Sequence, residues 1–276
     1  NLTGTPTWNT DWKGAILNNN AYKRQHGLSI LGGSEKTTFY MGTNYLKEQG
    51  QVKTTYFERF ATRINLDTEV NDYIKSGLNF SYSTSKQNSP NQSGSSYSNS
   101  IQWIYTIPSY YPLYRRQSDG TLFRDAAGLP VLDYGSNNSQ AVNGVRPRLP
   151  NENGLGAIIN NEILNTRTYT SMNGYIRIEI LPELNFKSNI FYERATLDNF
   201  RYTHNSFGAA STVQGRVSQD RNFFTTLNAI QTLNYNNSFD LHTFNVDAIF
   251  ESYRSEQNLM ESQGTGFLPN VKVLNG

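Results

Sequence analysis

The stretch TRINLDTEVNDYIKSGLNFSYS, residues Thr62–Ser83, alternates apolar and polar residues on both sides of a short polar turn. Ile64 and Leu66 before the turn share one parity, and Leu78 and Phe80 share one parity after it. Because successive side chains of a β-strand point to opposite faces, the stretch predicts an antiparallel hairpin with one apolar and one polar face. What the apolar face contacts decides the class of fold.

Composition excludes several classes of protein and site. Hydrophobic residues make up 36% of the 276 residues, whereas aromatic residues reach 13%, with 18 Tyr and 15 Phe. The chain is poor in aliphatic side chains for a conventional core, and too aromatic for disorder. The net charge of +2 is scattered and gives no basic tract for nucleic acid. The absence of cysteine excludes disulfides and thiolate metal sites.

The same period-two alternation recurs along the chain and predicts about eight strands, most of them longer than the strands of soluble sheets. Their joints alternate between short turns and long connections, so the short ones fall at one end of an up-and-down meander. Long tilted strands with this asymmetry are typical of transmembrane β-barrels. The predicted strands are 22–33, 37–47, 55–68, 73–85, 166–181, 184–198, 216–235 and 240–254.

Faces can be assigned on this basis. In a membrane barrel the apolar face meets lipid, where a charge costs about 2–4 kcal/mol at the midplane, and the polar face lines a wet lumen. The strand around 222–235 is too irregular to assign. A large soluble β-sandwich or β-solenoid remains an alternative. The predicted lumen-facing residues are Arg63, Asn65, Asp67, Lys75, Asn79, Arg177, Glu179 and Lys187; the predicted lipid-facing residues are Ile64, Leu66, Leu78, Phe80, Ile176, Ile178, Phe186 and Ile190.

Several stretches resemble one family. NTDW at Asn9–Trp12, the run Leu28–Asp67 with its Gly-Gly-Ser turn, and Val70–Ser83 are similar to early barrel strands of SusC/RagA-type TonB-dependent outer-membrane transporters. Met172–Glu193 and Leu233–Tyr253 resemble later hairpins of the same barrel. The resemblance lies in the order of these stretches along most of the chain, outside the long connection at 84–165.

The resemblance implies an all-β antiparallel segment, about eight strands of a 22-stranded barrel, in the outer membrane of a Gram-negative bacterium. It implies import of oligosaccharides or peptides with a SusD-like surface lipoprotein as lid, and energy from TonB–ExbB–ExbD through a plug domain that this chain does not contain. Residues 1–21 would lead into the barrel, and 22–276 would form the segment with a long extracellular loop at about 84–165. The alternative function is a structural or adhesive barrel, or a soluble β-rich carbohydrate-binding module.

The long connection is the most informative stretch for binding, because aromatic rings beside hydrogen-bonding groups suit sugars and peptides. Its aromatic residues could contact ligand, contact the partner lipoprotein, or pack internally. The candidate contact residues are Trp103, Tyr105, Tyr110, Tyr111, Tyr114, Arg115 and Arg116.

Catalytic and metal chemistry is not expected. No nucleophile-elbow or phosphate-binding pattern occurs, and His26, His204 and His242 lie far apart without zinc-ligand spacing. We therefore expect no enzyme activity, no metal and no cofactor. The recurring carboxylates are predicted to line the lumen and pair with cations across strands; they are Glu58, Asp67, Glu179 and Asp247.

Overall fold

The computed structural model describes residues 8–89, 99–135, 146, 149–268 and 271–274. Parts of the predicted lead-in and of the predicted long loop lie outside these described residues. In these described ranges, eight antiparallel strands form one sheet in sequential order, β1 to β8. The strands are β1 (Tyr22–Gly33), β2 (Thr37–Gln49), β3 (Tyr56–Asn71), β4 (Ile74–Asn88), β5 (Glu162–Leu181), β6 (Leu184–Thr203), β7 (Arg216–Phe239) and β8 (His242–Thr265).

The predicted meander is confirmed, and the structure extends several strands. The sheet stays open, with β1 and β8 at its edges, as a segment of a barrel wall does. The predicted loop at 84–165 begins later and ends earlier, because β4 continues to Asn88 and β5 starts at Glu162. Strands β7 and β8 have 24 residues each, far more than the 9–11 that cross a bilayer.

The two ends of the sheet differ, and we call them the turn end and the loop end. Tight connections close the turn end; in one of them the Asn71 side chain accepts hydrogen bonds from the backbone N–H groups of Tyr73 and Ile74. The loop end carries the short helices α1 (Trp12–Ile16), α2 (Ser100–Thr106) and α3 (Gly154–Asn160) and the 3-10 helix η1 (Gly208–Val213). Among the described residues, no helix is long and apolar enough to cross a membrane.

Within the residues that the structure describes, a conventional hydrophobic core exists only at the loop end, and we call this region the loop cluster. Asn99 is the N-cap of α2 and Asn153 is the N-cap of α3. The side chain of each accepts hydrogen bonds from two backbone N–H groups that a helix start leaves unpaired. The ring centroids of Trp12 and Trp103 lie 4.9 Å apart. The core consists of Trp12, Ile16, Val52, Trp103, Ile107, Tyr111, Leu149, Leu155 and Ile158.

Candidate functional site

The predicted two-faced sheet can be tested by strand register, because directly paired residues of an antiparallel sheet lie on the same face. Ile64 pairs with Phe80, Leu66 with Leu78, and Ile178 with Phe186. Ile176 and Ile190 share that parity, so all eight residues predicted to face lipid lie on one face, which we call the apolar face.

The opposite face, which we call the polar face, carries all eight residues predicted to face the lumen. Asn65 pairs with Asn79. Lys75 pairs with Arg177, which pairs in turn with Lys187. Arg63 and Asp67 on β3 and Glu179 on β5 have the same parity. That this face lines a lumen stays a prediction.

One predicted polar-face residue lies elsewhere. Glu58 pairs with Lys47 on one side and Lys86 on the other, at the parity of Ile64, so it belongs to the apolar face. The prediction of a lumen position was wrong for this carboxylate because it lies six residues from Ile64, an even separation that a strand keeps on one face. Glu58 lies near the loop end, beyond the apolar side chains.

The register also assigns the strand that alternation left open. Ala229 pairs with Ile190 and Leu233 with Phe186, which places both on the apolar face. Ile230 and Phe224 therefore lie on the polar face of β7, paired with Asn189 and Ala195. Apolar residues on both faces of β7 explain why its period was unclear.

Apolar side chains on the apolar face form a sloping belt. In β2 the belt begins at Phe39. The row of directly paired residues that starts at Phe39 ends at Ser252 in β8. Between them the row passes through Leu66, Leu78, Gly174, Ile190 and Ala229. In β8 the belt begins at Phe244, eight residues before Ser252. From β2 to β8 the start of the belt therefore shifts by about 26 Å along the strands, over six strand spacings of about 4.8 Å. The belt thus slopes by about 40° relative to the cross-strand rows. Strands of membrane barrels tilt by about 35–45°, so a belt parallel to a bilayer should cross the strands at this slope.

Two tyrosines lie flat on the polar face, above glycines. A Cβ added at Gly77 would meet the Tyr175 ring and would lie 2.6 Å from the Asp67 carboxylate. The Tyr175 hydroxyl donates to Asp67 at 2.9 Å, and the Lys187 ammonium lies 5.6 Å from the ring centroid. Tyr40 covers Gly42 in the same way. The contact of Tyr40 with Gly42 could have been predicted from the pattern Tyr-x-Gly within β2. The contact of Tyr175 with Gly77 could not, because it depends on the register between two strands.

Both tyrosines border open grooves of the polar face. A groove of about 480 Å³ runs between Tyr40 and Tyr169 over small side chains, with Arg63 at its side. A second groove, of about 350 Å³, is lined by Tyr175, Lys75, Arg177, Lys187, Asn185, Thr232 and Asn234. Flat aromatic rings beside amides and charges provide the apolar and directional contacts that sugars and peptides require.

Two of the seven candidate contact residues in the long loop are core residues. Trp103 is fully buried, and Tyr111 is 7% exposed. The internal-packing alternative therefore applies to these two, because their rings fill the loop cluster and present no surface to a ligand or partner. Tyr105 and Tyr110 are 81% and 45% exposed, and contact stays a prediction for them.

The remaining candidates, Tyr114, Arg115 and Arg116, lie just before the turn at Ser118–Gly120. The Arg116 guanidinium donates to the Gly120 carbonyl at 2.8 Å, and Arg115 lies 4.6 Å from the Phe123 ring centroid. Tyr114 forms an isolated bridge with Leu132. Both arginines thus hold the loop in shape, and ligand contact by these three residues stays a prediction.

Buried polar groups in the loop cluster were not anticipated from the sequence. Burial raises the pKa of Glu152 to about 7, although the Arg146 guanidinium opposes the rise. Arg146 donates to the Glu152 carbonyl and lies 3.8 Å from the Asp133 carboxylate; burial lowers its own pKa. The Asn153 amide donates to the carbonyls of Leu113 and Asp133. Isolated Glu, Arg and Asn residues in a loop give no periodic signal of burial.

A ring stack joins this network to the next loop. Tyr134 stacks on Phe207 with ring centroids 3.9 Å apart, and His204 stacks on the other side at 4.1 Å. Burial raises the pKa of Tyr134 and lowers that of His204. The Gly208 backbone N–H also donates to the Asn151 carbonyl at 2.8 Å. The connection between β4 and β5 and the connection between β6 and β7 therefore form one unit.

Among the described residues, no three His, Asp or Glu side chains are grouped to hold a metal ion. His26 lies in β1, His204 in the ring stack and His242 at the start of β8, so the three histidines are separated. The rings, amides and charges that line the two grooves of the polar face can bind and orient a polar ligand.

Comparison with known proteins identifies relatives of one kind. The chain is 32% identical over 123 residues to TonB-dependent receptor P26 of Formosa agariphila, covering 44% of this chain and 12% of the relative. It is 27% identical over 229 residues to receptor P39 of the same organism, 80% of this chain and 19% of the relative. TonB-dependent receptor SusC of Bacteroides thetaiotaomicron is 32% identical over 81 residues, 29% of this chain and 8% of the relative. The chain thus spans less than a quarter of each relative.

Solved structures agree on the fold. The RagAB peptide importer in its open-open state matches 96% of this chain and 27% of the solved chain with a TM-score of 0.64 at 18% identity. Its closed-closed state gives a TM-score of 0.62 over 97% of this chain and 28% of the solved chain, also at 18% identity. No family model matches the sequence. The matches confirm the expected antiparallel barrel segment.

Proposed function

We propose that this chain, a SusC/RagA-like segment of an outer-membrane β-barrel, forms part of the wall of a TonB-dependent importer for oligosaccharides or peptides too large for a porin. The observation that carries the proposal is the similarity to receptor P39, which extends over 80% of the chain. The flat tyrosines, amides and charges of the polar face support passage of a polar cargo along the wall.

The importer would act without covalent chemistry. Cargo would bind in a closed cavity between the barrel and a SusD-like surface lipoprotein acting as lid. Energy from the TonB–ExbB–ExbD complex would rearrange a plug domain and release cargo inward. The relatives are receptors and transporters, which agrees with a protein that is no enzyme. In this mechanism the wall binds and guides cargo.

A structural or adhesive barrel, or a soluble carbohydrate-binding module, is the competing function. The exposed apolar face disfavours a soluble module, since Leu28, Ile30, Phe244 and Val246 are each more than half exposed. A full-length protein that is heat-modifiable on gels and soluble only in detergent would exclude the soluble module.

Uptake by cells tests the importer directly. Cells that express the full-length protein should take up a fluorescent oligosaccharide or peptide pool, and a protonophore should abolish uptake without abolishing surface binding. The substitution Tyr175→Ala should weaken uptake, because it removes a flat ring from the polar face. Surface binding without energy-dependent uptake would instead support an adhesive barrel.

A further inference from the structure

The apolar face of β1–β4 changes character just beyond the belt, on the side of the loop end. Arg24 pairs with Lys47, Lys47 with Glu58, and Glu58 with Lys86. Four charged side chains thus form one cross-strand row on four neighbouring strands. The row directly beneath contains Tyr45, Phe60 and Thr84 in β2, β3 and β4. Charge therefore begins abruptly where the apolar belt ends.

This row, which we call the cationic row, holds three cations and one carboxylate. Lys47 forms an ion pair with Glu58 at 2.6 Å. Arg24 lies 4.5 Å from the Tyr22 ring centroid. In the described part of the chain, neither Arg24 nor Lys86 forms an ion pair with a carboxylate. Like charges on neighbouring strands are unfavourable, so an excess of two positive charges in one row favours an anionic partner.

A groove gives such a partner room. It has a volume of about 510 Å³ and is lined by Lys47, Glu58, Lys86 and Asn88, among other residues. Tyr22 and Tyr56 border it on the side of the loop end. Across a bilayer, hydrocarbon is followed by the interface and then by charged headgroups. Apolar residues, aromatic rings, and lysines and arginines match these three layers in this order.

We propose that this groove binds the phosphate group of an anionic lipid in the leaflet at the loop end. Lys47 and Lys86 would contact the phosphate, Arg24 would add to the positive field, and the acyl chains would lie along the belt below. Lysine is suited to this role as a compact charge with rotatable donors. The row of Tyr45 and Phe60 lies directly beneath the cationic row, which favours a lipid headgroup over free phosphate. The proposal rests on the membrane-barrel fold and is independent of import.

Lipid binding to the full-length protein in detergent micelles tests the proposal by native mass spectrometry. The probes are a short-chain phosphatidic acid, a phosphatidylcholine of the same chain length, and inorganic phosphate. Each lysine near an anionic surface contributes about fivefold in affinity. We therefore expect Lys47→Gln with Lys86→Gln to weaken phosphatidic acid binding about 25-fold, and phosphatidylcholine binding to change little.

A matched control removes the same two charges from the other face. Lys75→Gln with Lys187→Gln should leave phosphatidic acid binding within twofold, since these lysines lie on the polar face. Glu58→Gln should strengthen binding about fivefold, because it removes a carboxylate that repels phosphate; this variant tests the site even if the lysine pair fails to fold. Equal loss from both lysine pairs, no loss from either, or displacement of the lipid by an equal concentration of inorganic phosphate would overturn the proposal.

Discussion

The sheet and the loop cluster bury their apolar side chains in different places. In the loop cluster, Trp12, Ile16, Trp103 and Ile158 are almost completely enclosed by other parts of the chain. In the sheet, the side chains of the apolar face, such as Ile30, stay exposed. The loop cluster thus supplies its own core, whereas the sheet leaves one face for a partner outside the chain. A substitution should therefore act through packing in one region and through its surroundings in the other.

The largest effect is expected in the loop cluster. Trp103→Ala should destabilise it by about 3–5 kcal/mol, because truncating a large buried ring leaves a cavity. Hydrogen exchange of the full-length protein should show faster exchange in α2 and α3, with the central part of β4 and β5 unchanged. Tyr105→Ala is the matched control in the same helix; its ring is 81% exposed and its removal should change exchange little. Loss of protection throughout the sheet would show that the two regions are one folding unit.

The next effect tests the faces of the sheet. Leu78→Arg should destabilise the full-length protein in lipid by about 2–4 kcal/mol, the cost of a charge on the lipid face near the midplane. Asn79→Arg is its neighbour on the polar face and should cost far less. Unfolding by denaturant from lipid vesicles, followed by gel mobility, measures both. Equal costs would contradict the assignment of the apolar face to lipid.

The two regions also differ in how well their sequence predicted them. Alternation around Ile64 and Leu78 identified the hairpin and its two faces, because successive side chains of a strand point to opposite faces. The short turns between strands indicated the strand order. The prediction for Glu58 was wrong because it did not follow parity, since an even separation from Ile64 places this carboxylate on the apolar face. Ala229 and Leu233 could be placed on the apolar face only from the register, which the structure shows and the sequence does not.

The loop cluster was less predictable for a physical reason. Its short helices carry few residues, and burial there depends on contacts between segments far apart in the sequence. Trp103 and Tyr105 are two residues apart, yet one is fully buried and the other is mostly exposed. Nothing in the local sequence distinguishes them, so aromatic content indicated a binding loop without showing which rings face outward.

A third prediction uses the buried carboxyl group, which has no counterpart in the sheet. Folding raises the pKa of Glu152 from 4.5 to about 7, so the folded loop cluster binds an extra proton between these values. Its contribution to stability is full below pH 4.5 and is lost as the pH rises to about 7. Proteolysis of the connection between β4 and β5 should therefore become faster from pH 5 to pH 8. Glu152→Gln should remove this trend, whereas Glu35→Gln, in the turn after β1, should preserve it.

The smallest effect should come from the polar face. Gly77→Ala places a Cβ against the Tyr175 ring and 2.6 Å from the Asp67 carboxylate, so the ring must move and its hydrogen bond is lost. We expect Gly77→Ala to be less stable than the variant Gly174→Ala by about 1 kcal/mol, the typical net value of one hydrogen bond. Gly174→Ala is the control on the neighbouring strand and the apolar face; its Cβ meets only ordinary contacts at 3.9 Å. Since alanine is favoured over glycine in a strand by about 0.5–1 kcal/mol, this control should be neutral or stabilising in denaturant unfolding. Equal behaviour of the two glycines would mean that the Tyr175 ring does not lie flat against the wall.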